Sequence, residues 1–257
     1  MLWKQLLFGS KKNELPPKPN GKIEVFVRHC ISSSVSQHKT RFPGFSRELC
    51  YKNLLDTIDL QKANLTFFLD TDKGSKQDHF LKDEIHHPVL EVQEGSESGS
   101  FLKLLDYVES LNLHPDTIVY FLEDDYLHRP GWVNVLLEGF QIPAADYVTL
   151  YDHKDKYFLP SYKKLQSQLF ITPSCHWRST PSTTQTFAMR YQTLMKHLPI
   201  HRRFSEGRVI SADHEKFALL GKLGSLLVSS VPGWSTHAEP EFASPCIDWE
   251  KILFTYV

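Results

Sequence analysis

Cysteine is scarce in this chain, and its four copies are scattered. Cys30, Cys50, Cys175 and Cys246 form no CxxC pair and no zinc-ribbon spacing, and they read as reduced, mostly buried thiols of a cytosolic protein. An excess of one charge is also missing. With 29 basic and 30 acidic residues the net charge is −1, so bulk electrostatics give no reason to expect a nucleic-acid partner. There is no GxxxxGK[ST] string, which excludes a P-loop kinase, and no internal repeat. Long apolar runs are missing too: MLWKQLLFGSKK is too short to span a bilayer and lacks the h-region of a signal peptide. The expectation is therefore a cytoplasmic protein. Trp3, Leu6, Leu7 and Phe8 beside Lys4, Lys11 and Lys12 read either as a weak peripheral contact with the inner face of a membrane or as a stray amphipathic tail. The 13 histidines show no strong metal-ligand spacing. His197 and His201 are four apart, but Pro199 between them predicts a broken helix that does not present both on one face.

What is present is alternation. After a tail and Pro-rich linker over residues 1–21, strand-like runs at 23–29, 64–72, 88–95 and 117–125 alternate with helical patterns at 45–58 and 101–111. Ser46 is the expected cap of the first helix, with Leu49 inside, and GSESGS reads as a loop ahead of the second. Further on, a helix is predicted at 132–140, strands at 146–152, 168–172, 183–190 and 226–234, and helices at 191–198 and 211–224. This order predicts an α/β fold with a mixed, mostly parallel sheet flanked by helices. It forms a single domain with a first half over 22–152 and a second over 153–257. In such sheets ligands collect at the carboxyl ends of the strands.

The most pointed segment is TIVYFLEDDYLHRPGW (117–132), where an apolar run meets Glu123, Asp124 and Asp125. Three adjacent carboxylates at the end of a buried strand repel one another, and burying one unpaired costs several kcal/mol, on the order given for buried charges. A divalent cation resolves that conflict, and hard oxygen ligands suit Mg²⁺ or Mn²⁺. The bland alternative is that the acids cap the following helix or stand in solvent. If the strand continues, Glu123 and Asp125 share one face and Asp125 is the better direct ligand.

Taken in order, these residues resemble the GT-A class of nucleotide-sugar glycosyltransferases, above all its family 2-like members, over roughly residues 22–244. EDDY followed by PGW resembles that family's acidic motif, although the family's first acid is Asp and here it is Glu123. The resemblance implies a GT-A-like (Rossmann-like) fold with a donor half at 22–152 and an acceptor-binding, catalytic half at 153–257. It implies Mn²⁺ or Mg²⁺ at Glu123, Asp125 and His237, and donor contacts from Arg28, His29, Asp70 and Asp124. Asp213 becomes the base of an inverting transfer. The partners implied are a nucleotide-diphosphate sugar and a saccharide or glycolipid acceptor. Ordinary readings stand beside several of these: Asp70 with Asp72 as a turn, GSESGS as a flexible connection, Asp213 as an N-cap, and His237 as a surface histidine. Arg178, Arg190, Arg202 and Arg203 are candidate phosphate or acceptor contacts, and 176–187 a candidate sugar-facing wall.

Two other functions compete. A sugar nucleotidyltransferase also uses a metal on an α/β sheet, but it generally carries a Gly-rich, basic loop after strand one. Here that loop is serine-rich with only Lys39 and Arg41. A non-catalytic carbohydrate-binding relative would be favoured by loss of the acids, and they are present. A metal-dependent hydrolase calls for more His and Asp pairs at ligand spacing than occur.

Overall fold

The structure, a computed structural model, describes residues 23–33, 36 and 38–256; the expected tail and membrane contact at 1–21 lie outside them. The strands are β1 (Ile23–Cys30), β2 (Ala63–Asp70), β3 (Val89–Val92), β4 (Ile118–Glu123), β5 (Tyr126–His128), β6 (Ala145–Thr149), β7 (Leu169–Ile171), β8 (His176–Ser179), β9 (Phe187–Arg190), β10 (Leu226–Val231) and β11 (Ser235–His237). The helices are α1 (Arg47–Thr57), α2 (Glu97–Ser110), α3 (Trp132–Gly139), α4 (Asp155–Phe158), α5 (Tyr191–Arg203), α6 (Asp213–Lys222) and α7 (Trp249–Phe254).

Nine strands form one sheet in the order β3-β2-β1-β4-β9-β6-β10-β8-β7, and β5 pairs with β11 in a separate ribbon. Only β9 and β8 run against the rest, so the sheet is mixed and mostly parallel, Rossmann-like, with helices on both faces. Strand parity builds two cores. Val25, Val27, Phe67, Tyr120 and Leu122 point to the face covered by α1 and α3, with Trp132 and Leu136. Phe26, Phe68, Val119 and Phe121 point to the opposite face, where Phe101, Leu194 and Phe217 of α2, α5 and α6 meet them. Burial on both faces is why β1 and β4 read as continuous apolar runs.

The chain moves outward from β1 through β2 to β3, then returns to place β4 on the other side of β1. That reversal creates a crevice outside the carboxyl ends of β1 and β4, where such sheets bind ligands. β9 and β10 come from the second half of the chain yet lie beside β4 and β6, so both halves share one sheet.

Several expectations change. GSESGS is not a loop: Gly95 makes the turn with φ +65°, Ser96 caps by accepting from the Gly99 N–H at 3.0 Å, and α2 begins at Glu97. The β4 strand stops at Glu123, and Asp124 and Asp125 form a turn before β5, so Glu123 and Asp125 do not alternate on one strand face. Helix α5 continues through Pro199, and His197 and His201 do share a face, 2.9 and 3.1 Å from the Tyr147 hydroxyl. Proline removes one backbone donor there, and two buried hydrogen bonds to one tyrosine offset that loss. Among the thiols only Cys50 is buried; Cys30 and Cys175 are half-buried and Cys246 is exposed. No described helix is long and apolar enough to cross a membrane.

Candidate functional site

A cleft of about 180 Å³ opens at the β1/β4 reversal. Its walls include Arg28 and His29 from β1, Ser32, Ser33 and Arg47 from the following loop and helix, Asp70 and Asp72 after β2, Ser96 and Glu97 of α2, and all three acids of the EDD run. Parity and register decide where each of them points.

Arg28 and Glu123 are register partners on neighbouring parallel strands and lie on the same face. Arg28 Nη2 sits 3.5 Å from Glu123 Oε1 and 3.0 Å from Glu97 Oε1, while Nη1 donates to the Glu97 carbonyl at 2.9 Å and to Ser100 Oγ at 3.1 Å. Arg28 therefore ties β1 to β4 and to the first turn of α2. Burial raises the Glu123 carboxyl pKa above its ordinary value; Arg28 opposes that rise, and the nearby Asp125, Glu97 and Asp213 carboxylates add to it.

His29 points to the other face, against Phe67, His79 and Phe80. It is 3% exposed, and burial holds its pKa well below the usual histidine value, so it is neutral. Neither ring nitrogen has a hydrogen-bond partner, although Nδ1 lies 3.8 Å from Asp124 Oδ2. Asp124 accepts from the Cys30 backbone N–H at 3.3 Å and pairs with Arg47 Nε at 2.9 Å. Burial raises its pKa against the opposing pull of Arg47.

Asp70 is committed to the backbone. Its carboxylate accepts from the N–H groups of Asp72, Glu94 and Gly95 at 3.1, 3.2 and 2.9 Å, which clamps the β3–α2 connection across the end of β2. A Cβ on Gly95 would come 2.5 Å from Asp72 Oδ2, so glycine is required both for the close approach and for its positive φ. Asp72, exposed on the cleft wall, is the acid left to meet a ligand.

The β5/β11 ribbon brings Asp125 to His237 across 112 positions of sequence. His237 Nε2 is 2.8 Å from Asp125 Oδ2, and its Nδ1 is 3.0 Å from Glu239 Oε2. Arg41 Nη2 donates to the same Asp125 oxygen at 2.7 Å. His237 is buried, not the surface histidine of the ordinary reading. Burial alone would lower its pKa, but the Asp125 and Glu239 carboxylates outweigh burial and raise it. Burial would raise the Asp125 carboxyl, yet His237 and Arg41 carry it far below the ordinary carboxylate range.

Among the described residues no cluster of three or more His, Cys, Asp or Glu side chains could hold a metal ion. Glu123 is engaged with Arg28 and does not join Asp125 and His237. Those two do converge, with Nε2 directed at Asp125, and Glu239 holds Nδ1 as a carboxylate support fixes an imidazole. With both ring nitrogens facing carboxylates, Asp125 and His237 would hold a divalent cation only once the imidazole gave up its Nε2 proton, and substrate phosphate and water would have to complete the shell.

Asp213 is the first residue of α6 and makes no cap hydrogen bond; Ala212 occupies the N-cap position. It does not line the cleft, but its charge neighbours include Arg28 and Glu97, which do. Burial raises its carboxyl pKa, opposed by Lys216, whose Nζ lies 2.9 Å from Oδ1. Of the candidate arginines, Arg178 pairs with buried Asp152 at 2.7 Å, Arg190 donates to the Phe140 carbonyl, Arg202 pairs with Asp106 and Glu109, and Arg203 lies over Phe204. None of the four lines the cleft. The cations that do reach the acids, Arg41 and Arg47, are ones whose isolated sequence positions give no signal; nor do those of Glu97 and Glu239.

No family model and no curated protein matches this chain. Solved structures with similar backbones include 4-diphosphocytidyl-2C-methyl-D-erythritol synthase from Anaerococcus prevotii, at 9% identity and TM-score 0.46, covering 92% of this chain and 97% of that one. A second is CMP:2-keto-3-deoxy-manno-octonic acid synthetase complexed with CTP, at 15% identity and TM-score 0.49, covering 91% and 98%. A third is residues 1–349 of S. aureus TarS, at 14% identity and TM-score 0.47, covering 81% of this chain and 57% of that one. With likenesses this distant, function has to be read from the cleft.

Proposed function

We propose that this protein is a glycosyltransferase that moves a sugar from a nucleotide-diphosphate donor to a hydroxyl of a saccharide or glycolipid acceptor, with inversion. The observation that carries the reading is the 2.8 Å meeting of His237 with Asp125, an acid that lines the switch-point cleft.

The nucleoside lies along the carboxyl ends of β1 and β2, where Asp72 and the backbone clamped by Asp70 offer hydrogen bonds. The diphosphate lies toward Asp125, within reach of Arg41, Arg47 and Lys39, whose guanidinium and ammonium groups suit phosphate oxygens. Asp125 and His237 would hold Mn²⁺ or Mg²⁺, and Glu239 would orient the imidazole. Such an ion, when bound, supplies charge stabilisation to a departing diphosphate. Asp213, with its raised affinity for a proton, takes the proton of the acceptor hydroxyl as that oxygen attacks the anomeric carbon. The exposed pair Val209 and Ile210 gives the rim beside α2 an apolar lip.

A thermal-shift series with UDP-, GDP-, CMP- and dTDP-sugars, each with and without Mn²⁺, tests this. One nucleotide sugar should raise the melting temperature, and raise it further with the metal. If none does so in a metal-dependent way, the reading loses its support. If a nucleoside triphosphate with a sugar phosphate yields pyrophosphate while the nucleotide sugars are inert, a nucleotidyltransferase replaces it.

A further inference from the structure

Lys216 is an unusual residue to bury. It sits on the first turn of α6 with 0% exposure, and its Nζ lies 5.2, 4.9 and 5.2 Å from the ring centroids of Phe101, Phe187 and Phe217. Three aromatic faces offer a desolvated ammonium cation–π attraction and at the same time confine it to one place. Its polar contacts are Asp213 Oδ1 at 2.9 Å and Gln185 Oε1 at 3.3 Å. An ammonium so enclosed is tolerable only if its charge is matched. Asp213 supplies the matching charge, and Asp213 itself has no cap bond to hold it.

Across the site the balance is uneven. Arg28 from β1 is paired with Glu97 from α2 and Glu123 from β4, so two carboxylates meet one guanidinium, and Asp213 from α6 feels the charges of Arg28 and Glu97. Asp213 is left with Lys216 as its direct ion-pair partner.

We infer that Lys216 is a positioning residue for Asp213: caged by Phe101, Phe187 and Phe217, its ammonium aims the Asp213 carboxylate and keeps it ionised so that it can accept a proton. The catalytic consequence rests on the transferase reading above; the electrostatic claim does not. In the transfer, the acceptor O–H bond breaks and its proton passes to Asp213. The acceptor oxygen bonds to the anomeric carbon while the bond from that carbon to the diphosphate oxygen breaks, its electron pair leaving with the diphosphate.

The test follows the Asp213 carboxyl directly. The full chain is labelled with ¹³C at aspartate carboxyls, the Asp213 signal is assigned by its loss in Asp213→Asn, and its titration is compared between the wild type and Lys216→Met. The midpoint should rise by about one pH unit or more in Lys216→Met and return close to wild type in Lys216→Arg. On the acid limb of the pH–kcat profile this is a loss of roughly tenfold per pH unit, since each unit changes the ionised fraction tenfold. An unmoved midpoint in folded Lys216→Met overturns the inference. A moved midpoint in a protein that transfers no sugar supports the inference and removes the transferase reading. If Lys216→Met does not fold but Asp213→Asn/Lys216→Met does, mutual compensation of the pair is supported. If the double variant also fails to fold, Lys216 serves the core independently of Asp213 and the inference falls.

Discussion

Asp125 lines the cleft and Asp213 does not, and their surroundings shift their carboxyl pKa values in opposite directions. Asp125 is held by Arg41 and His237 at 2.7 and 2.8 Å and is pulled far toward the ionised form. Asp213 has one direct cation, Lys216, while burial, and after it the Glu97 carboxylate, raise its pKa. Carboxylates whose pKa values are driven apart by their surroundings serve different roles, one as fixed charge and the other as proton carrier. The burial of the two differs less than their partners do. What separates them is the set of cations within contact, Arg41 and His237 for Asp125 against Lys216 alone for Asp213.

The sharpest way to break this comparison is to neutralise each acid in turn. Asp213→Asn should lower kcat by about 10²–10⁴-fold, the range for loss of a general base, and leave donor affinity nearly unchanged. Asp125→Asn should weaken donor and Mn²⁺ binding first, as read by calorimetry with UDP- or GDP-sugars. Equal losses of binding and turnover in both variants would erase the division of labour. A smaller effect is expected at Glu239, which touches the His237 Nδ1 at 3.0 Å. Glu239→Gln keeps an acceptor for that N–H but removes the charge, and Mn²⁺ affinity should fall about 10–100-fold, the usual cost of losing such support. Unchanged affinity would mean that Glu239 does not orient the imidazole.

The two regions also differ in how well the sequence announces them. Asp125 is visible because three acids interrupt an apolar strand, and the β1, β2 and β4 runs that place it are continuous enough to identify. Its partners are not visible. Arg41 and Glu239 look like solvated charges until the fold sets Arg41 on Asp125 and the β5/β11 ribbon brings in His237, which Glu239 holds. Arg28 with Glu123 depends on parallel register, which two separate apolar runs do not specify. Around Asp213 a signal does exist. Phe217 and Leu220 belong to the buried stripe of α6, and the residues four positions before them, Asp213 and Lys216, fall on that same inward face. GSESGS reads as a loop because Gly and Ser are weak helix formers, and the cap at Ser96 together with the Arg28 and Ser211 contacts of Glu97 outweighs that local preference.

The smallest expected effect concerns proton linkage in the Asp125 pair. The folded pKa of His237 is raised, so its contribution to stability is complete below its unfolded value, near 6.5, and is lost as pH rises through the folded value. The folded pKa of Asp125 is depressed, so its contribution is present above its unfolded value, near 3.9, and is lost as pH falls. Together they define a window from roughly pH 4 to 6.5 in which the pair stabilises the fold fully. Removing both charges with Asp125→Asn/His237→Gln avoids leaving one buried ion alone. In metal-free buffer, wild-type unfolding free energy should therefore decline relative to the double variant as pH rises above about 6.5, by on the order of 1 kcal/mol for each pH unit that separates the folded and unfolded pKa values of His237. Parallel curves across that range would mean that His237 is neutral when folded. The Nε2 lone pair would then already be available beside Asp125, and the difference between the two acids would rest on Arg41 alone.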